Sequence, residues 1–445
     1  MTLVHGPSLH VVRDELELGE AIAGTEADFI VLVRGGAVLS DDANDTLSEV
    51  IGRFPESDLL YGDDDGARRP AFSAVRLRGQ DYLGPVLALR TERARSLGGL
   101  RPEATGAHGY DLALRLSAAG ASIVYVPSVL ASPGAGSDDI HATARTLPIV
   151  RHHLGQLGIQ AEVSHGRGSA LDLRYALEAR PLVSIVIPTR GGSAVIAGTD
   201  RVMVVEAVRG ISERSSYDNV EFVIVADDAT PQSVIDELDA LLGERLVLVR
   251  WSAPFNFSAK MNRGAVHANG EYLLLLNDDI ELVSPDWIER LLGLAQQPDV
   301  GLASGLLYFE DGTVQHGGHL YAHGQAGHIA IGWPADADDE LGSMSVDREV
   351  SGATAACAMV SADDFWAVGG FSSLLPGNYN DVDFCLKLRS LGRSVIWSPH
   401  VKLYHFESKT REATVAPSEI AALRSRWNSR IQVDAYWPTT GDDRR

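Results

Sequence analysis

The chain has 445 residues, 45% hydrophobic and 22% charged, which is the balance of a soluble globular protein too long for one ordinary core. A formal charge of −22 and a pI near 5.0 argue against nucleic acid as a partner and against electrostatic docking on anionic lipid. An anionic substrate would need a local cation, either a bound metal or a few placed basic residues.

Two cysteines, Cys357 and Cys385, exclude a disulfide framework and fit a reducing cytoplasm. Residues 1–20 lack the basic, apolar and small-residue regions of a signal peptide. The apolar run Leu273 to Leu276 is too short to span a bilayer.

In chain order, Phe29 to Val33 has the apolar pattern of a buried strand, and Ser57 to Tyr61 reads as a second strand ending in the polar turn Gly62-Asp63-Asp64-Asp65. Asp111 to Ser117 reads as an amphipathic helix and Ser122 to Val126 as a strand. Composition shifts to Pro, Gly, Ser and Asp around Ser132 to Asp139, marking a boundary. Ile140 to Leu157 has helical periodicity, and His165 to Arg180 reads as a linker.

Beyond Leu182 the pattern alternates. Strands are predicted at Leu182 to Ile187, Val220 to Val225, Leu246 to Val249 and Tyr272 to Leu276, with helices at Arg201 to Glu213, Thr230 to Leu242 and Lys260 to Ala268. The order predicts an α/β fold, a mostly parallel sheet with helices on both faces. Ligands bind such sheets beyond the carboxyl ends of the strands, so the polar strings Pro188 to Gly192, Ala226 to Asp228 and Asn277 to Asp279 should converge on one crevice. The expected organisation is a module over residues 1–135, a helical linker over 136–180, a second and larger domain over 181–412 and a tail over 413–445.

The chain also repeats itself. Ala27 to Gly36 (ADFIVLVRGG) matches Gly270 to Asp279 (GEYLLLLNDD), and Gly98-Gly99-Leu100 with Asp111 and Pro127 matches Gly369-Gly370-Phe371 with Asp383 and Pro399. Glycines, apolar strand residues and one Asp are shared. The carboxylates differ: Asp278 and Asp279 stand against Gly35 and Gly36, Asp381 against Gly109, and His405 against Pro133. One half keeps an acid-rich site that the other has lost.

Five segments together carry a family resemblance: Pro181 to Arg190 (PLVSIVIPTR), Pro254 to Asn262 (PFNFSAKMN), Leu276 to Asp279 (LNDD), Asp311 to His316 (DGTVQH) and Asn380 to Phe384 (NDVDF). Over about residues 181 to 411 the chain resembles the family 2 glycosyltransferases of GT-A fold, bacterial rhamnosyl- and galactofuranosyltransferases of cell-surface polysaccharide assembly among them. The first 135 residues resemble a degenerate later half of the same fold. The resemblance implies transfer of a sugar from a nucleotide-diphosphate donor, such as a UDP- or dTDP-sugar, to a saccharide or lipid-linked acceptor hydroxyl. It also implies inversion and assistance by Mn²⁺ or Mg²⁺.

On that resemblance Asn277-Asp278-Asp279 corresponds to the Asp-x-Asp motif. Asp279 is expected to bind metal, and Asp278 to touch the ribose or the ion, since hard oxygens suit these cations. The plainer alternative is a polar turn capping the next helix. Asp381 stands where the family carries its general base, against the alternative of a solvated helix-start acid. His405 matches a metal-completing histidine, although a lone His is more often structural. Asp227 or Asp228 would hold the nucleobase. Pro188, Thr189 and Arg190 would border the nucleotide, and Lys260 with Asn262 would head a helix below it, Lys260 reaching a phosphate or lying solvated.

His316, Trp333, Gly352, Ala353 and Asp383 are candidates on the acceptor side, with Asp383 also read as a helix-start residue. The spacing of His316, His319, His323 and His328 fits no standard metal site, and the Gly-rich stretch that holds them reads instead as a mobile acceptor loop. Asp63-Asp64-Asp65 reads as a solvated turn. Two other classes stay open: a nucleotidyltransferase, for which Gly191-Gly192 supplies little of a triphosphate loop, and a non-catalytic carbohydrate-binding or scaffold protein. The expected setting is cytoplasmic, with no nucleic-acid partner; peripheral contact with the inner face of the cell membrane and homo-oligomerisation are left open.

Overall fold

The computed structural model describes residues 6–134, 143–406 and 415–438. The chain divides into two compact units. One takes in Met1–Arg174, Asp338–Asp347 and Pro438–Arg445; the other takes in Tyr175–Ala337 and Arg348–Trp437.

The first unit is built on β1 (Leu9–Val12), β2 (Phe29–Val33), β3 (Val38–Leu39), β4 (Leu59–Asp64), β5 (Val86–Arg90) and β6 (Ile123–Ser132). Every residue of β2 is buried, as its unbroken apolar run requires. Helix Ala43–Arg53 repeats its apolar residues one turn apart and lays Ala43, Leu47 and Ile51 on Phe29, Val31 and Val33 of that strand. The sheet order is β1-β2-β5-β4-β6-β3. The β1/β2 and β4/β6 pairs are parallel, and the β2/β5, β5/β4 and β6/β3 pairs antiparallel. Helix Thr143–Gln156 follows, and then the paired strands β7 (Ala161–His165) and β8 (Leu171–Tyr175). Residues 140–142 of the expected helix, and 135–139 of the expected boundary, lie outside the described residues.

The second unit adds β9 (Val183–Thr189), the hairpin β10 (Ser193–Ile196) and β11 (Thr199–Val202), β12 (Val220–Asp227), β13 (Leu246–Trp251), β14 (Tyr272–Leu276), β15 (Ile280–Leu282) and β16 (Val300–Tyr308). After these come β17 (Val314–His316), β18 (His319–Ala322), β19 (Gln325–His328), β20 (Arg348–Glu349), β21 (Cys357–Ser361) and β22 (Ser394–His405). The main sheet runs β13-β12-β9-β14-β21-β16-β22-β15, with β17 on β16 and β20 on β22. β13, β12, β9, β14, β16 and β22 point one way, and β21, β15, β17 and β20 run against them. Helix Phe257–His267 is started by Asn256, whose side chain accepts the Ala259 N–H at 2.9 Å. It presses on the sheet at Gly264, where a Cβ would stand 2.4 Å from Val186.

The two sheets share a plan. β1-β2-β5-β4-β6-β3 and β9-β14-β21-β16-β22-β15 agree in spatial order, in chain order and in the direction of every pairing. Among the described residues the first unit has no counterpart of β12 and β13. No helix of the described residues is long and apolar enough to cross a membrane.

Candidate active site

β9, β12, β14 and β22 all end on one edge of the second unit's sheet, around a cavity of about 610 Å³. Of the residues expected there, Pro188, Thr189, Arg190, Asp227, Lys260, Asn277, Asp278, Asp279, Asp381 and His405 line it.

The carboxylate pair follows β14. Thr189 Oγ donates to Asp278 Oδ2 at 2.5 Å, tying the ends of β9 and β14 together. Burial, and the Asp279 charge beside it, push the Asp278 carboxyl up to about 6. Across the site, Gln315 on β17 donates Nε2 to the His405 carbonyl at 3.3 Å, so its Oε1 faces His405 Nδ1 at 2.8 Å and takes the proton there. In its neutral form His405 then turns the Nε2 lone pair inward. It meets the Asn277 amide at 2.9 Å and lies 3.1 Å from Asp279 Oδ1, an oxygen that is buried and accepts no hydrogen bond.

Two lone pairs facing each other at that distance repel unless a proton or a cation lies between them. Burial pushes Asp279 up, but a protonated His405 more than offsets this and holds the carboxyl below its usual range. A divalent cation answers the same need. Carboxylate oxygen with one imidazole nitrogen suits Mn²⁺ or Mg²⁺, and the Gln315 bond is the orienting contact that such a ligand requires. The residues present therefore fit a metal. Gln315 was not singled out as a site residue; the Gln-His pair of its own motif was the available signal.

Lys260 is 2% exposed. Its ammonium reaches Asp227 Oδ1 at 2.7 Å and the Thr189 carbonyl at 2.9 Å, so this lysine braces the ends of β9 and β12 and is not a solvated side chain.

Asp381 opens helix Asn380–Ser390. Its Oδ1 accepts the Val382 N–H at 2.8 Å and its Oδ2 faces His319 Nε2 at 3.6 Å. Burial pushes this carboxyl up, yet His319, His328 and the Val382 N–H together hold it below the usual carboxylate range. The preceding Tyr379 has φ +59°, a left-handed turn that sets the start of the helix. Glu419, on helix Pro417–Trp427, accepts the Gly377 and Asn378 N–H groups at 2.8 Å each and fixes that turn from behind.

Several expected residues stand elsewhere. Asp383 is fully buried and does not line the cavity; it holds Trp427 Nε1 at 2.7 Å and Arg426 at 2.8 Å, and so anchors the C-terminal helix. Its counterpart Asp111 holds Arg115 the same way at 2.7 Å. Asn262 is spent on the Phe371 backbone, accepting its N–H at 2.8 Å and donating to its carbonyl at 2.8 Å. Asp228 is exposed outside the cavity. Trp333 packs edge-on to Trp437, with ring centroids 6.1 Å apart. Gly352 and Ala353 lie under the surface, where Gly352 O accepts the His319 N–H at 2.7 Å and the Ala353 N–H meets Cys385 Sγ. His316 is fully buried behind the cavity wall. Asp63, Asp64 and Asp65 close a hydrogen-bonded turn with Arg69, Tyr125 and Ser132. Both cysteines are buried and free.

Residues 184–369 match the family described as glycosyl transferase family 2. The chain carries a family 2 glycosyltransferase domain. The matched span of this glycosyltransferase domain includes Thr189, Asp227, Lys260 and Asn277 to Asp279, and Asp381 and His405 follow it. Its helix-covered α/β sheet, with carboxylates at the strand ends, fits the GT-A fold.

The chain is 32% identical over 424 residues to the O-antigen biosynthesis protein RfbC of Myxococcus xanthus, covering 89% of this chain and 32% of that protein. It is 28% identical over 459 aligned residues to the uncharacterised protein y4gI of Sinorhizobium fredii, covering 95% and 50%. It therefore spans half or less of these relatives. Among solved structures, the chain is similar to GalNAc-T7 with UDP, GalNAc and Mn²⁺ (TM-score 0.46, 12% identity, 57% of this chain and 49% of that one). The mannosyltransferase PcManGT of Pyrobaculum calidifontis with GDP-Man and Mn²⁺ gives a TM-score of 0.38, with 15% identity and coverage of 57% and 72%.

Proposed function

We propose that the chain is an inverting glycosyltransferase that uses a nucleotide-diphosphate sugar, of the UDP or dTDP class, to extend a saccharide or lipid-linked acceptor in surface-polysaccharide assembly. The observation that carries this reading is one cavity shared by the Asp279–His405 pair and Asp381. The name of the Myxococcus xanthus relative supports the polysaccharide setting.

Asp278, Asp279 and His405 would hold Mn²⁺ or Mg²⁺, which when bound would offset the negative charge of the departing diphosphate. Thr189 fixes Asp278, and Gln315 fixes the tautomer of His405. Lys260 and Asp227 keep the ends of β9 and β12 at the nucleotide side. At the acceptor side Asp381 is held ionised and takes the hydroxyl proton as that oxygen bonds to the anomeric carbon. The bond from that carbon to the diphosphate breaks on the opposite face, so configuration inverts in a single displacement.

The test is a panel of nucleotide sugars with Mn²⁺ and Mg²⁺, scored for nucleotide release and for the anomeric configuration of the product. Cation-dependent release with an inverted product is the expected result. Retention of configuration would remove Asp381 as a base, and release indifferent to chelation would remove the metal assignment.

The first unit is read as a second, degenerate copy of the same half-domain, which its matching strand plan supports. Gly35 and Gly36, at φ +61° and +65°, form a turn where the other copy has carboxylates. At Gly109, the counterpart of Asp381, a Cβ would stand 3.0 Å from Leu32 and 3.1 Å from Arg34, so a carboxylate there would have to displace those side chains.

A further inference from the structure

Three histidines scattered through a Gly-rich stretch come together beside Asp381. β18 and β19 pair antiparallel with His319 opposite His328, and β17 brings up His316 at its end. One nitrogen from each ring lies within 4.8 Å of the other two. The rings stand edge to face, with centroids 4.9 to 5.5 Å apart. His316 Nδ1 is 2.7 Å from His328 Nδ1. His316 is fully buried and His319 is 2% exposed, with a buried Nδ1 that has no hydrogen-bond partner. A backbone N–H, from Thr354, meets His316 Nε2 at 3.3 Å, so without a metal Nε2 accepts and Nδ1 carries the ring proton toward His328; a metal at Nδ1 would displace that proton.

Histidines buried for packing alone place their nitrogens against carbonyls, carboxylates or water. Here His316 Nδ1 faces His328 Nδ1, and one nitrogen of His319 lies within 4.8 Å of a nitrogen of each. Three imidazoles in one place are a ligand set for a borderline-soft divalent ion, unlike the oxygen-rich set at Asp278 and Asp279. Gly352 supports the arrangement: a Cβ there would stand 2.7 Å from His319 Nδ1 and 2.4 Å from the Tyr321 hydroxyl, so only glycine leaves the ring its place.

We propose that His316, His319 and His328 form a second metal site, for a transition ion of the zinc class, with its fourth position turned toward Asp381 and the cavity. An oxygen ligand, water or a sugar hydroxyl, would complete it. The proposal does not depend on the glycosyltransferase reading, because metal binding is measured without turnover.

The test uses the full chain, freed of metal by chelation and titrated with Co²⁺ alone. One equivalent should give the intense visible absorption of a four-coordinate ion. His328→Gln and His319→Gln should weaken that binding about 100-fold or more, the upper end of what even an orienting partner costs. His405→Gln should leave the signal intact. X-ray absorption on the Zn²⁺-loaded wild type gives a reading free of variant folding, with three imidazole nitrogens at about 2.0 Å expected. The absence of a four-coordinate signal in the wild type, its survival in both ligand variants, or two or fewer imidazoles around zinc would each overturn the proposal.

Discussion

Trp427 donates its indole N–H to Asp383 at 2.7 Å, and Asp383 lies fully buried on the helix that Asp381 begins. The C-terminal helix is thereby fastened to the candidate base at two levels, because Glu419 on the same helix closes the Gly377–Asn378 turn just before it. A left-handed Tyr379 costs about 1–3 kcal/mol and persists only where its surroundings hold it. These two anchors are what hold it.

Trp427→Phe removes one hydrogen bond from a buried carboxylate while keeping most of the ring packing. Bonds to charged groups contribute about 1.5–3 kcal/mol, so unfolding in denaturant should move by that amount. If Asp381 is positioned by this anchor, kcat should fall more than KM rises. A variant with unchanged stability would show that Arg426 and Lys387, also beside Asp383, suffice.

Glu419 gives a pH signature. Burial pushes its carboxyl up, but the Asn378 side chain and the Asn378, Gly377 and Ala416 N–H groups outweigh this and hold it below its ordinary value of 4.5. A depressed folded-state pKa means stability that is fully present above 4.5 and lost as pH falls through the lower folded value. Glu419→Gln should therefore be less stable than the wild type above 4.5, and the gap should close as acid is added. A gap independent of pH across that range would assign the loss to packing instead.

What was legible beforehand follows from how local each signal is. β2 and β14 lie at their expected bounds because a five-residue apolar run between polar turns has one use in an α/β chain. The convergence of Thr189, Asp227 and Asp278 followed from the rule that such strands end on one edge. β4 runs past Tyr61 to Asp64, beyond its expected end, because Asp63 and Asp64 are paid back by hydrogen bonds that only folding supplies. The stretch from His165 read as a linker contains β8, and a hairpin precedes helix Met203–Arg214, since short pairings leave little periodicity to read. The histidines were noticed but set aside on spacing: His319 meets His328 through strand register, and spacing along the chain carries no register. In the tail, Glu419, Arg426 and Trp427 are each matched to a partner distant in sequence.

Gln315→Leu isolates the orienting bond. The leucine fills similar space but releases His405 Nδ1, so the ring loses its fixed tautomer. Loss of such an outer partner lowers metal affinity about 10–100-fold. A Mn²⁺ titration of nucleotide-sugar turnover should shift by that factor with little change at saturation. An unshifted titration would mean that His405 does not ligate.

Gly109→Asp tests the reading of the first unit as a copy whose site has closed. The new side chain would enter space held by Leu32, Arg34 and Leu87, and Arg34 is already bound to Asp81 and Gly84. Overpacking and an added buried charge should together cost about 2–5 kcal/mol. Thermal unfolding reads the loss. A variant as stable as the wild type would mean that room for a carboxylate remains.

Asp381→Asn keeps the size of the side chain and its bond to the Val382 N–H while removing the proton acceptor. Donor binding depends on residues of β9, β12, β14 and β22, so the affinity for nucleotide sugar in a thermal-shift titration should hold. Transfer should fall about 10²–10⁴-fold, the contribution of a positioned base. The comparison with His319→Gln separates two roles. That imidazole, 3.6 Å from Oδ2, helps to hold Asp381 ionised, so its loss lets the carboxyl rise, and the acid limb of the rate profile should move to higher pH while the plateau changes less. Full transfer in Asp381→Asn would place the base on another group, and an acid limb unmoved in His319→Gln would remove the histidine from its control.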